Sequence, residues 1–269
     1  MAEILTDYTK QKLITPIHES WNLCMYKLCS KHPQADYLTT NHHTLINSGL
    51  KIAWLNRVMK TNIAPDEADK KIQEVKQYFD SKGLPFTWQV DPGDKPVDLA
   101  GRLERAGFMR DETPGMAVRI RELVEPRVLE GFRCEKVQSP QKLKDYARLL
   151  AKAYGIPEAG WDFIINGWTH LGLIPDLQHY IGYLGEVPVA TSAVLYGEGV
   201  AGLYNVATLP EARGKGVGAL ISYTPFVEAG DRGYEIGILH STRMGYPVYK
   251  RLGFEDVCKL IRYEWKPSS

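Results

Sequence analysis

The hexapeptide Arg213-Gly214-Lys215-Gly216-Val217-Gly218 constrains what this chain can fold into more than any other stretch. Its three alternate glycines carry no Cβ, so backbone N–H groups can come close to a ligand. The residues that follow predict a helix over 216–230, so the glycines also open a helix. A helix N-terminus presents unpaired donors and a partial positive charge. Such a loop is suited to phosphate, and Arg213 and Lys215 add charge beside it.

What surrounds the loop narrows the choice of phosphate. Strands are expected at 180–184, 187–196 and 200–208, separated by Gly185-Glu186 and Gly197-Glu198-Gly199. That order is an antiparallel meander. After the loop helix come a strand at 234–239, a short helix over 246–252 and a strand over 257–265. The glycine spacing fits neither G-x-x-x-x-G-K-[ST] nor G-x-G-x-x-G, and a meander is not a parallel βαβ unit. Nucleotide-hydrolase and dinucleotide readings therefore drop out.

The arrangement resembles the GNAT superfamily of N-acetyltransferases, whose pyrophosphate loop reads Arg/Gln-x-x-Gly-x-Gly/Ala. Arg213, Gly216 and Gly218 stand in those places. Leu203 to Glu211 is similar to the strand and turn before that loop, and Tyr249, Gly253 and Phe254 supply a closing Tyr-x-x-x-Gly-Phe. The resemblance covers most of residues 133–265. It implies an α+β fold on a mixed sheet, acetyl-CoA as cosubstrate, and an amine-bearing small molecule or peptide as acceptor.

The resemblance also implies roles for individual residues. Val206, Ala207 and Thr208 would pair with the pantetheine arm, through backbone groups freed where their strand splays from its neighbour. Arg213, Gly214, Lys215, Gly216, Val217, Gly218 and Ala219 would hold the pyrophosphate. Thr242 stands where family members often carry Asn, and brings fewer donors to the pantetheine. Backbone N–H groups near Val206 or Ala207 would stabilise the oxyanion. Tyr249 would protonate the departing thiolate, since a phenol with a pKa of about 10 holds its proton at neutral pH. The base stays unassigned. Asn205 cannot act as one, Tyr204 would need a depressed pKa, and Glu211 and His240 are chemically capable.

The first half reads as helices with a little sheet. Helices are expected over 5–30 and 65–79, the second begun by Pro65 with Asp66-Glu67 in its first turn. A strand at 86–90, a helix over 97–105 closing at Gly107 and a strand at 116–120 lead to a polar linker at 121–127. Leu103-Glu104-Arg105-Ala106-Gly107-Phe108 parallels Tyr249-Lys250-Arg251-Leu252-Gly253-Phe254, which points to an internal duplication. By resemblance the chain would hold two tandem acyl-CoA N-acyltransferase-type domains, a degenerate one over 1–125 and a catalytic one over 130–269. Leu103 replaces Tyr249 in the degenerate copy, and residues 64–71 hold no glycine loop. That half would cover a sheet edge and shape the acceptor pocket. That pocket is expected to draw on loops such as Gly155 to Pro175, with Trp161, Trp168 and Tyr154 either lining it or covering the core.

Composition removes other classes. With 33 basic against 32 acidic residues the chain has no excess for nucleic acid. No stretch reaches the roughly 20 apolar residues of a membrane helix, and the N-terminus lacks signal-peptide features. A cytoplasmic monomer or homodimer is expected. Cys24, Cys29, Cys134 and Cys258 fit neither a disulfide framework nor a metal pair. Asn41-His42-His43, read as strand, would send its histidines to opposite faces, so no metal is expected. Two rival functions share the fold: a catalytically silent CoA-sensing or scaffold protein, and transfer of another acyl group or to another nucleophile.

Overall fold

The computed structural model describes residues 3–267. The chain begins with α1 (Lys10–Cys29), β1 (Asp36–Thr39), β2 (Thr44–Asn47), β3 (Arg57–Met59), α2 (Ala68–Asp80), β4 (Phe86–Val90), α3 (Leu99–Arg105) and β5 (Met109–Arg119). It continues with β6 (Phe132–Lys136), α4 (Pro140–Ala153), α5 (Trp161–Leu171), β7 (Leu177–Leu184), β8 (Val187–Gly197) and β9 (Val200–Thr208). The last elements are α6 (Val217–Asp231), β10 (Ile236–His240), α7 (Tyr246–Arg251) and β11 (Glu255–Trp265).

Two compact units result, and neither is a contiguous half. The glycine-loop unit takes the residues up to Leu28 together with Pro114–Cys258. The companion unit takes Cys29–Thr113 and the residues from Lys259 onward. The expected division into 1–125 and 130–269 matches neither. Strand pairing gives the reason. β5 follows α3 of the companion unit, yet Gly115 to Arg119 pair antiparallel with His240 to Ile236 of β10. β11 follows α7 of the glycine-loop unit, yet Ile261 to Trp265 pair with Val90 to Phe86 of β4.

In the glycine-loop unit the strands run in the order β5-β10-β9-β8-β7-β6, with β10 and β9 parallel. Helices cover both faces. Neighbouring strand residues point to opposite sides. His179 of β7 lies against Tyr146 of α4 and Trp168 of α5, while Tyr180 donates to Glu228 of α6 at 2.9 Å. α4 starts because Ser139 caps it, its Oγ accepting from Lys142 N at 3.2 Å, with Pro140 in the first turn. Leu143, Tyr146, Ala147 and Leu150 recur every three or four residues and are buried. Ser139→Ala would cost about 1 kcal/mol.

Residues 161–171 are helix α5 and not the expected loop. Phe163, Ile164 and Trp168 bury one side of it, and Trp168 is 2% exposed. Trp168 is therefore core. β6, absent from the expectation, pairs with β7 as an edge strand. α1 joins this unit too: Leu13, Ile17, Ser20 and Cys24 share one buried face, and Leu5 N donates to Gly199 O at 2.9 Å.

The companion unit orders its strands β1-β2-β3-β4-β11. Ile72, Val75 and Phe79 of α2 pack on Phe86 and Trp88, and the Phe79 and Phe86 rings stack at 4.2 Å. Trp88 Nε1 satisfies its one donor on Thr61 Oγ1 at 2.9 Å. Asn41-His42-His43 is a turn between β1 and β2, where His42 N and His43 N both donate to Thr40 Oγ1 at 3.1 Å. Among the described residues no cluster of three or more His, Cys, Asp or Glu forms a metal site, and no helix is long and apolar enough to cross a membrane.

Candidate active site

The site begins where two parallel strands part. β9 pairs with β10 through Ala201, Gly202 and Leu203 opposite Gly237, Ile238 and Leu239, and the pairing stops there. β9 continues to Thr208. Its residues from Tyr204 onward thus have no β10 partner, and Val206, Ala207 and Thr208 lie on that edge. The cause is local. On the other side Thr191 opposes Ala207 and Ala193 opposes Tyr204, so β9 holds one residue more than β8. Such a bulge bends a strand and increases its twist. Asn205 takes up the excess with φ +54°, a value that Asn tolerates better than most residues. Thr191 Oγ1 donates to Asn205 O at 2.9 Å and holds the bulge.

The glycine loop follows directly. Pro210–Ala212 makes one 3-10 turn, and Gly216, at φ +90°, is the N-cap of α6 with no side-chain cap. Gly214 has φ +75°. A Cβ at either position would meet no atom within 4 Å, so backbone conformation and not crowding selects glycine there. At Gly218, φ is ordinary and the atom nearest to an added methyl is Thr208 Oγ1 at 3.8 Å. The first N–H groups of α6, at Val217, Gly218 and Ala219, face the loop. Ala219 N also donates to Gly216 O at 3.1 Å. Lys215 is exposed. Arg213 is more constrained than expected: its Nε donates to Thr208 O at 3.0 Å and an NH2 group to Ala153 O at 3.4 Å. It ties the loop to β9 and α4.

Tyr249 lies on α7 and is 6% exposed. Its hydroxyl approaches Ser222 of α6, and Ser222 Oγ donates to Gly218 O at 2.8 Å. The phenol is therefore coupled to the first turn of the loop helix. Burial pushes its pKa well up, so it remains a proton donor throughout the ordinary pH range. A Cβ at Gly245 would lie 2.8 Å from Tyr249 Cε2, so only glycine leaves room for the ring. Thr242 starts the turn into α7, its Oγ1 accepting from Gly245 N at 3.1 Å and its carbonyl from Tyr246 N at 2.9 Å. One lone pair of its hydroxyl is spent locally, which narrows what it can offer a ligand.

Several solved structures share this architecture. A GCN5-related N-acetyltransferase from Kribbella flavida superposes with a TM-score of 0.64 at 18% identity, over 94% of this chain and 96% of its own. A tandem GNAT protein from the clavulanic acid biosynthesis pathway gives 0.56 at 13% identity, over 88% and 85%. A functionally unknown conserved protein from Staphylococcus epidermidis gives 0.63 at 12% identity, over 89% and 97%. The fold is that of the GCN5-related N-acetyltransferases. No family model matches the sequence, and no curated protein matches it.

Within that GNAT fold the companion unit repeats the pattern and then closes it. β3 and β4 pair in parallel through Arg57 with Thr87 and Val58 with Trp88, and Lys60 has φ +54°, the same as Asn205. Here the edge beyond is occupied. Lys95 N donates to Thr61 O at 2.9 Å, and Ile63 N donates to Lys95 O at 3.1 Å. Backbone groups equivalent to those of Val206 to Thr208 are thus consumed by the turn that ends at Lys95. Leu103, fully buried, stands in the place of Tyr249. A pocket of about 790 Å³ in this unit is lined mainly by apolar atoms, with Glu67 and Asp98 beside Lys95 and His42.

One contribution is invisible to local sequence patterns. α1 brings Ser20 and Trp21 to the corner where β9 and β10 part. Ser20 Oγ accepts from Tyr204 OH at 2.8 Å, and Trp21 lies 5.6 Å from the Tyr204 ring and 5.4 Å from His240. Ser20 and Tyr204 are 184 residues apart, and no short motif announces the pair.

Proposed function

We propose that the glycine-loop unit is an acetyl-CoA-dependent N-acetyltransferase that acts on a primary amine of a small molecule or peptide. The observation that carries this reading is the convergence in one unit of an unpaired β9 edge, a glycine-capped helix and a buried phenol. The donor set suits acetyl-CoA. Open space over Gly214 and Gly216 lets phosphate oxygens reach the N–H groups at the start of α6, where the helix dipole favours negative charge. The edge from Val206 to Thr208 offers an extended pantetheine amide the pairing that β10 does not supply.

In this reading the amine attacks the thioester carbonyl directly. N–H groups on the β9 edge near Val206 and Ala207 stabilise the developing oxyanion. The C–S bond breaks, and Tyr249 gives its phenolic proton to the departing sulfur. The similar GNAT structures support the fold and leave the acceptor to experiment.

The test is thiol release from acetyl-CoA over a panel of amines, paired with calorimetric binding of CoA. Turnover that falls at least about a hundredfold in Tyr249→Phe while CoA binding holds supports the enzyme. CoA binding without turnover on any amine would move the reading to a silent CoA-binding protein.

A further inference from the structure

The proposed function names acetyl as the group transferred, and the geometry points to Trp21 of α1 as the residue that sets this limit on acyl length. The inference rests on the acetyltransferase reading and deepens it with a specificity-determining residue.

The course of the cosubstrate gives the direction. The glycine loop follows Thr208, so phosphates held at the start of α6 lie at the C-terminal end of β9. A pantetheine arm paired along the β9 edge then runs back from Thr208, and its thioester arrives near Val206. Next in line are Tyr204 and His240, the first residues past the point where β9 and β10 stop pairing. An acyl chain longer than acetyl extends toward them.

That end is closed by three rings. Leu203 and Leu239 belong to the core that includes Ile221 and Phe226 of α6. Tyr204 and His240, next along each strand, face the other side of the sheet, where α1 lies. Their rings meet edge to face at 5.9 Å, and Trp21 lies 5.6 Å from the first and 5.4 Å from the second. Each ring therefore packs on the other two.

The cluster is held from α1. Tyr204 OH donates to Ser20 Oγ at 2.8 Å, and His240 Nε2 lies 3.1 Å from Ile17 O. Ser20 precedes Trp21 directly and Ile17 lies one helical turn before it, so both anchors and the indole share one stretch of helix. α1 is itself seated as close to the sheet as glycine allows. A Cβ at Gly202 would lie 2.7 Å from Ser20 Oγ, and one at Gly197 would lie 2.9 Å from Leu23 Cδ2. A wall packed this tightly does not take in added methylene groups without displacement. Trp21 is the largest of the three side chains and the one that comes from outside the two strands. Cutting it back makes room and leaves the backbone of β9 and β10 in place.

The test is a chain-length series on the full-length chain: acetyl-, propionyl-, butyryl- and hexanoyl-CoA, followed by thiol release on one amine and by calorimetric binding. In the wild type, kcat/KM is expected to fall about tenfold or more from acetyl to butyryl, since one methylene against a closed wall is worth that much. Trp21→Ala should raise the butyryl-to-acetyl ratio by about tenfold or more, with affinity for CoA itself within about threefold. Trp21→Leu, a smaller cut, should shift the ratio the same way and decides the matter if the alanine variant does not fold. A wild type that uses butyryl- and acetyl-CoA within about threefold overturns the assignment, whatever the variants do. So does a folded variant that binds CoA normally with an unchanged ratio. No turnover of any acyl-CoA on any amine overturns the acetyltransferase reading instead, and the same ratio read from binding then still decides the role of Trp21.

Discussion

The backbone N–H of Phe254 donates to the carbonyl of Tyr249 at 3.0 Å, and this bond fixes where the phenol stands. It closes α7 in a Schellman turn, with Gly253 at φ +94° and its N–H on Lys250 O at 3.2 Å. The same turn closes α3: Phe108 N donates to Leu103 O at 3.1 Å, and Gly107 has φ +89°. One backbone device thus presents a phenol in one unit and an isobutyl group in the other.

Tyr249→Phe removes only the hydroxyl from a buried ring. CoA affinity should stay within about threefold while kcat falls by roughly 10² or more. Thiol-release kinetics beside calorimetry check this, and a parallel loss of both would mean that the ring organises the site without acting in it.

Gly218→Ala and Gly216→Ala separate an allowed backbone from a strained one. At Gly218 φ is ordinary and nothing in the protein lies closer than 3.8 Å to the new methyl, so the melting temperature should hardly change. Alanine is also what the resembled loop allows at this place, so CoA affinity should stay within about threefold of wild type. Gly216→Ala should instead cost about 1 kcal/mol of stability, because a side chain at φ +90° is strained.

Acid should unfold the glycine-loop unit partly through His179. The ring is 1% exposed between Tyr146 and Trp168, and burial lowers its pKa from 6.5 to about 3. The unfolded chain therefore takes up the proton first. This contribution is whole above the unfolded pKa and is lost as pH falls below it, on the order of 3 kcal/mol by about pH 4. Denaturant titrations at several pH values would show the slope, which His179→Phe should flatten.

Burial also raises the thiols of Cys29 and Cys134 to about 12. Both should resist a thiol reagent at about pH 8 until the chain is denatured. Rapid labelling of either in the native protein would contradict their packing.

Much of this architecture was legible in local sequence. The meander, the glycine loop and the Tyr-x-x-x-Gly-Phe closure depend on neighbours within a few residues, so turn chemistry and periodicity expose them. Leu103 as the counterpart of Tyr249 followed from the same short pattern. α5 was not legible: Asn166-Gly167 interrupts its apolar spacing, and its helix is fixed by packing on α4. The role of α1 was hidden for a different reason. Ser20 with Tyr204 and Ile17 with His240 are joined only by the folded chain. Arg213 showed its charge in the sequence but not its bonds to Thr208 and Ala153.

The strands β5 and β11 each begin in one unit and end paired in the other. A cut in the polar stretch at 121–127 would therefore not release two self-sufficient halves. An upstream fragment would keep α1 and the paired end of β5, both parts of the glycine-loop unit. A downstream fragment would carry the glycine loop without either, and would keep the final strand of the companion. Expression of residues 130–269 alone should give an incomplete sheet, and the two fragments should regain a native fold only when mixed. Neither unit can be expressed, or engineered, as one unbroken stretch of chain.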